Sequence, residues 1–296
     1  MESLRSLDGP IYITIMNLWY MGMNMSFKYS WRFGGTYLMA LVARNIGHLT
    51  INYGIMRTFK PELNFVELSA RDVNLTLLRG VLSTLGSTFT TLGVFYLDIT
   101  EAFVISQTKP FVTLALNRIA YKEPLNKYQA IACVVCFSGV VLMLQPAFLF
   151  GASYEWTRDR LTGIIIRLIS VFAASFSDLT LKQIGTKLQT YYVIHFMGIT
   201  NSLSFGLAYG IFDTPKIESA PCYLALLGVG LFSWFTHYFY SRAYQVGPIN
   251  LVSIFESTGV LLGFAADYFL SSKVYNFYSY LGVFLIIASL YICTLK

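Results

Sequence analysis

Charged residues are scarce in this chain. Asp, Glu, Lys and Arg make up 12% of its 296 residues, whereas a soluble globular domain contains about 25%. Hydrophobic residues make up 55%, and the mean hydropathy is +0.58. This composition excludes an ordinary soluble domain and predicts an integral membrane protein with little room for a large aqueous catalytic domain.

The motifs of common hydrolases and nucleotide-driven pumps are also missing. The sequence contains no G-x-S-x-G, no H-E-x-x-H and no phosphate-binding P-loop. Its three histidines, His48, His195 and His237, share no metal-ligand spacing. We therefore expect neither an enzyme nor a bound metal. The Tyr and Trp residues near span ends favour membrane anchoring over nucleic-acid binding.

Cysteine is rare as well, with four residues in the whole chain. Cys133 and Cys136 form a C-x-x-C pattern, but within an apolar stretch that lacks the strand-turn-helix context of a redox motif. The sequence therefore predicts buried helix cysteines at these positions and at Cys293.

Long apolar runs are the main feature of the sequence. Runs and turn signals predict ten helical segments, at 9–27, 36–57, 73–96, 100–119, 124–146, 161–182, 190–212, 219–243, 248–270 and 274–295. Each is long enough to cross a hydrocarbon core of about 30 Å. The predicted class is an all-α polytopic membrane protein, and the first helix is expected to be retained rather than cleaved.

The hairpin that follows Asp98 has a counterpart later in the chain. Shifting the sequence by 148 residues places this hairpin over the last two predicted segments, with Lys109 over Ser257 and therefore next to Glu256. The helix boundaries also coincide. We expect two five-helix halves, 1–148 and 149–296, and an odd number of helices in each half makes the repeats inverted in the membrane.

The basic residues predict the orientation of the spans. If the N-terminus is cytosolic, twelve Lys and Arg residues, among them Arg79, lie on the cytosolic side and six on the opposite side. Cytosolic loops are enriched in Lys and Arg. Both termini are therefore expected on the cytosolic side, and Arg44, Lys109 and Arg167 fall within predicted spans.

Three motifs in a fixed order resemble a known family. These are LLRGVLSTLG in the third segment, the hairpin VISQTKPFVTLALNRIAYKEPLNKYQAIACVVCFSGVVLMLQPAFLFG, and AYQVGPINL before the ninth segment. They are similar to the drug/metabolite transporter superfamily with its paired EamA domains, nearest to solute carrier family 35 subgroup G. The resemblance implies ten helices in two inverted repeats, a central substrate cavity, alternating access and no cofactor.

Lys109 and Glu256 are the leading candidates for substrate binding, and both depart from the pattern of this family. The offset places them near each other, close to the middle of cavity-lining helices. A functional interpretation assigns Lys109 to an anionic group of the substrate and Glu256 to a cationic group or a coupling proton. A permanent salt bridge that only neutralises two charges is the alternative.

Four further residues are candidate substrate contacts: Arg44, Arg167, Asp178 and His237. Arg167 and Asp178 are eleven residues apart, so they share a helix face but lie about 16 Å apart along its axis. Each could line the cavity or be a terminal charge that reaches towards water. Arg44 could be a gate, a substrate contact or a structural residue, and His237 could be a packing residue.

The sequence thus predicts a secondary transporter of a small polar metabolite, anionic or zwitterionic. The alternative is a non-transporting structural subunit that keeps the transporter fold within a larger membrane complex. Expected partners are the metabolite and the lipid bilayer; a homodimer and membrane-complex partners stay open. The resemblance points to the endoplasmic reticulum, Golgi or plasma membrane, and the mitochondrial inner membrane stays open as well.

Overall fold

A computed structural model describes residues 8–60, 68–97, 99–122, 126–150, 156–212, 219–271 and 275–295. Within these ranges the regular structure is helical, without strands. The helices are α1 Asp8–Arg32, α2 Tyr37–Phe59, α3 Ala70–Tyr96, α4 Ile99–Ser106, α5 Lys109–Tyr121, α6 Lys127–Leu144, α7 Ala147–Phe150, α8 Arg158–Ile184, α9 Thr190–Phe212, α10 Ala220–Val246, α11 Ile249–Phe255, α12 Thr258–Ser271 and α13 Phe277–Ile292. A short 3₁₀ helix, Gly185–Lys187, follows α8.

The ten predicted segments agree with these helices, with one systematic difference. The fourth segment is divided into α4 and α5 at residues 107–108, and the ninth into α11 and α12 at residues 256–257. The segments were predicted from the apolar pattern, which does not show these two breaks. The Glu123-Pro124 turn of the hairpin and Asp98 lie outside the described residues.

Side-chain caps explain where several helices begin. The Thr36 hydroxyl accepts a hydrogen bond from the Met39 backbone N–H, and the Asn126 and Asn276 side chains cap α6 and α13 in the same way. Such caps satisfy backbone donors that have no partner within the helix. At the C-terminal end of α6, Gln145 adopts a left-handed conformation with φ of 48°, which ends the helix.

The chain packs as two compact units. Unit 1 comprises Met1–Thr84 and Thr180–Val246, and unit 2 comprises Leu85–Leu179 and Gly247–Lys296. Each unit therefore combines segments from both halves of the sequence. Because a repeat along the chain and a compact unit in space are different divisions, the two predicted five-helix halves, 1–148 and 149–296, stay a prediction.

In unit 1, α10 packs along α1 and also against α2, and α9 packs against α2. Aromatic rings fill the contact between α1 and α10, where the Trp19 and Phe235 centroids are 4.3 Å apart. Gly47 of α2 meets Gly230 of α10, and a Cβ atom on either glycine would collide with the backbone of the other helix. These two helices can therefore approach backbone to backbone.

In unit 2, α13 packs along α6 and α11 packs against α5 and α6. Its apolar core contains Val104, Cys136, Val140, Val260 and Ile286. Cys133, Cys136 and Cys293 are buried free thiols, which confirms the prediction made from their apolar surroundings.

The distribution of polarity is that of a membrane protein. On α9, the large apolar side chains Leu203, Leu207 and Ile211 are 63%, 68% and 71% exposed, and their spacing of four residues places them on one face of the helix. Asn45, His48 and Asn52 of α2 are buried. Exposed apolar faces around a polar interior suit a lipid environment, the reverse of a soluble protein.

Helix length and hydropathy also indicate membrane-spanning helices. Among the described helices, Lys127–Leu144, Arg158–Lys187 and Ala220–Val246 are long and apolar enough to cross a membrane by length and composition. Ile249–Ala265 and Phe277–Ile292 are shorter apolar helices.

Candidate functional site

The breaks between α4 and α5 and between α11 and α12 position the leading candidate residues. Lys109 is the first residue of α5, and Pro110 follows it within the first turn. Proline is well accommodated there because its missing N–H would have no partner within the helix. Glu256 lies immediately after α11, and α11 packs against α5.

Lys109 forms an ion pair with two carboxylates in unit 2. Its Nζ lies 2.9 Å from both Glu256 carboxylate oxygens and 2.7 Å from Asp178 Oδ2. The contact between Lys109 and Glu256 is the one expected from the 148-residue offset. Asp178, on α8, joins them and was not predicted to do so. We call Lys109, Asp178 and Glu256 the ionic triad.

The ionic triad is largely shielded from solvent but not sealed. The exposed fractions of the Lys109, Asp178 and Glu256 side chains are 13%, 1% and 18%. With one ammonium and two ionised carboxylates, the triad has a formal charge of −1. A partly buried carboxylate pair of this kind can accept a further positive charge, either a proton or a cationic group.

Polar side chains continue from Lys109 along one face of α5. Thr113 and Asn117 follow at intervals of four residues, which places all three on the same face. The Thr113 hydroxyl donates to Ser175 Oγ at 3.1 Å, and the Asn117 amide donates to Asn250 Oδ1 at 3.0 Å. This face of α5 thus meets polar groups of α8 and α11, and the spacing K-x-x-x-T-x-x-x-N was the sequence signal for it.

Arg167 has a different environment from the ionic triad. It is 4% exposed, and its Nη1 donates to the Thr90 carbonyl at 2.8 Å while Nε and Nη2 donate to the Ala102 carbonyl at 3.1 and 2.7 Å. Nη2 also contacts the Ser106 hydroxyl. The guanidinium therefore joins α3 to the C-terminal end of α4, and it is not a terminal charge reaching towards water.

Arg44 and His237 lie in unit 1. Arg44 is partly buried on α2, and its Nε is buried without a hydrogen-bond partner in the described part of the chain. The His237 ring, on α10, lies 5.0 Å from the ring of His48. His48 was considered only as a metal ligand in the sequence, although it lies one helical turn after Arg44.

Two buried charged residues were missed in the sequence. Arg79 is 2% exposed, and its guanidinium donates to Met197 Sδ and to Ser241 Oγ at 2.7 and 3.2 Å. Counting it among the cytosolic loop charges was wrong, although its place within a predicted span was a signal of burial. Glu101, in the first turn of α4, is 1% exposed. Its position at the edge of a predicted span gave no such signal.

A metal centre finds no support in the described ranges. They contain no group of three or more His, Cys, Asp or Glu side chains that could hold a metal ion.

Part of the chain matches a known protein family. Residues 36–145 match the EamA-like transporter family. A solved crystal structure is similar over 100% of this chain and 99% of the chain in that structure. The TM-score is 0.78 and the sequence identity is 14%. At that identity the likeness shows the fold alone. Residues 36–145 are thus similar to the EamA-like transporter family, which confirms the resemblance stated from the motifs.

Three individual proteins are similar in sequence to this chain. Human solute carrier family 35 member G1 is 26% identical over 72% of this chain and 60% of that protein. A probable transport protein of Saccharomyces cerevisiae is 25% identical over 48% of this chain and 43% of that protein. The pseudopaline exporter of Pseudomonas aeruginosa is 19% identical over 76% of each chain. The matched regions thus span 43% and 60% of the lengths of the first two proteins.

Proposed function

We propose that this protein is a secondary transporter of a small polar metabolite, working by alternating access of two inverted repeats. The observation that carries this proposal is the ionic triad, in which Lys109 is held by Glu256 and Asp178 where two helices are interrupted. Interrupted helices are where transporters commonly place substrate and ion sites. The likeness to transporters from yeast, human and a bacterium supports the same class.

The charge of the ionic triad narrows the class of substrate that can bind there. Lys109 already has two carboxylate partners, so an additional anion there would meet net negative charge. A substrate with an ammonium group, or a proton, would restore neutrality. Among the anionic and zwitterionic metabolites expected from the sequence, this favours a zwitterion, with Glu256 as the more accessible acceptor because it is 18% exposed and Asp178 only 1%.

Transport by reconstituted protein tests the proposal. Proteoliposomes would be offered zwitterionic amino acids, organic anions and nucleotide sugars, each with and without a pH gradient. We expect uptake or exchange of a zwitterion, and Lys109→Gln should reduce it on the order of 10- to 100-fold, because Glu256 would lose the charge-assisted hydrogen bonds from Lys109 that position it. Lys127→Gln is the matched control, because Lys127 is exposed at the start of α6.

Glu256→Gln separates two roles of the carboxylate. If Glu256 carries a coupling proton, the variant should lose uptake driven by a pH gradient but keep exchange of substrate across the membrane. If it binds the ammonium group, both activities should fall together. Wild-type rates in Lys109→Gln would overturn the assignment of the site.

The ionic triad also fits the alternative role as a locked structural bridge, because each of its charges already has a partner. A non-transporting subunit would move none of the offered solutes in either direction. It would also co-purify in a stoichiometric complex in mild detergent. That pair of results would replace the transporter proposal.

A further inference from the structure

Unit 1 contains a group of basic side chains, which we call the basic cluster: Arg44, His48, Arg79 and His237. They come from α2, α3 and α10. His48 is fully buried and Arg79 is 2% exposed, and the two imidazole rings are 5.0 Å apart. Arg44 and Arg79 both act electrostatically on His48 and His237. The basic cluster is therefore one electrostatic neighbourhood.

Few of the described carboxylates share unit 1 with the basic cluster. The described residues of unit 1 contain two, Asp8 and Asp72. Each lies in the first turn of its helix, α1 or α3, and Asp72 accepts a hydrogen bond from the Ser69 hydroxyl at 2.7 Å. Both are at helix ends, whereas Arg44 and His48 lie well inside α2. A buried positive charge without a nearby anion is costly in a membrane.

Several donors of the basic cluster lack acceptors among the described residues. The Nε of Arg44 and both ring nitrogens of His48 are buried without a hydrogen-bond partner, although the Arg44 carbonyl lies near the His48 ring outside hydrogen-bonding geometry. The Arg79 guanidinium donates to Met197 Sδ and Ser241 Oγ within the same cluster. Unused donors beside positive charge are the chemistry of an anion site.

We infer that the basic cluster binds an oxyanion group, a carboxylate or a phosphate, with Arg44 as the principal contact and His48 and His237 as additional donors. The inference concerns unit 1 alone and rests on the proposed function only for the source of the oxyanion, a transported metabolite that carries such a group. Lys109, the residue first expected to attract an anion, has carboxylate partners in Asp178 and Glu256.

Binding by the full chain in detergent tests the inference without requiring transport. The thermal midpoint would be measured in sodium chloride, sodium acetate and sodium phosphate at equal ionic strength. We expect a higher midpoint with phosphate, acetate or both, because a ligand that binds only the folded state stabilises it. The difference between acetate and phosphate identifies the preferred oxyanion. Equal midpoints in all three salts would overturn the inference.

Arg44→Gln distinguishes an anion site from a structural arginine. At an anion site, the variant should be as stable as wild type or more stable in chloride, because an uncompensated charge has been removed. Its response to oxyanion should be lost, with affinity weaker on the order of 10- to 100-fold. A structural arginine would instead lower the midpoint equally in every salt and keep the oxyanion response.

Two further variants keep the test decisive. Arg57→Gln removes a charge from an exposed position on the same helix and should keep the full oxyanion response. If Arg44→Gln does not fold, Arg44→Lys retains the charge without the forked donor geometry, and a wild-type response in it would overturn the assignment of Arg44 as principal contact. Oxyanion binding without transport would count against the proposed function alone, and transport without oxyanion binding against this inference alone.

Discussion

Replacing Arg167 by glutamine gives the sharpest structural prediction. The guanidinium donates to the carbonyls of Thr90 and Ala102 at 2.7 to 3.1 Å, and each hydrogen bond from a charged donor contributes about 1.5–3 kcal/mol. Losing both acceptor contacts costs about 3–6 kcal/mol, part of which is offset because a buried charge is no longer desolvated. We expect Arg167→Gln to lower the free energy of unfolding by about 3 kcal/mol.

The assay is thermal unfolding of purified protein, paired with transport per folded molecule. Arg167→Lys is the control that keeps the charge, and its compact ammonium cannot reproduce the forked contacts, so its stability should lie between wild type and Arg167→Gln. A second variant probes the same space, because a Cβ atom on Gly93 would collide with the Arg167 side chain. Gly93→Ala should also destabilise. An unchanged midpoint with abolished transport in Arg167→Gln would refute the structural role and favour a substrate contact.

Two other predictions concern packing and thiol chemistry. Gly282→Ala should destabilise unit 2 by about 1–3 kcal/mol, because the new Cβ would lie 2.5 Å from the Gly139 carbonyl oxygen and 2.7 Å from the Met143 backbone nitrogen. Gly263→Ala is the matched control, since a Cβ there meets nothing described within 4 Å, and equal midpoints for the two variants would contradict the packing argument. The buried thiols of Cys133, Cys136, Cys222 and Cys293 should resist a maleimide reagent in native protein and react after denaturation in detergent. Rapid labelling of the native protein would contradict their burial.

Apolar patterning predicted the helices well because length and hydropathy determine whether a segment can cross a membrane. It did not predict the two helix breaks, because both lie within continuous apolar runs. Pro110 lies in the first turn of α5, just after the first break, whereas Glu256-Ser257 contains no proline and the Ser257 and Thr258 hydroxyls donate to backbone carbonyls there.

The candidate site was predictable only in part. The 148-residue offset placed Lys109 over Ser257, next to Glu256, and the structure brings Lys109 and Glu256 into contact. Asp178 was expected on a particular helix face, but helix periodicity does not say which helix that face meets. The same limit applies to Arg44 and His237, whose common neighbour His48 becomes visible only when α2 and α10 are packed.

The two helix breaks differ in their physical origin. At 107–108, Pro110 has no N–H to donate to the carbonyl one turn earlier, so this interruption is fixed by covalent chemistry. At 256–257, the hydroxyls of Ser257 and Thr258 donate to the carbonyls of Ile254 and Phe255 at 2.7 and 2.8 Å, competing with the backbone. The Thr108 hydroxyl makes the same kind of contact at the first break, to the Ile105 carbonyl at 2.6 Å, so the proline is what distinguishes the two. The Lys109 side of the ionic triad thus lies beside a residue that can never donate a backbone hydrogen bond, whereas every residue from Glu256 to Val260 keeps its backbone N–H.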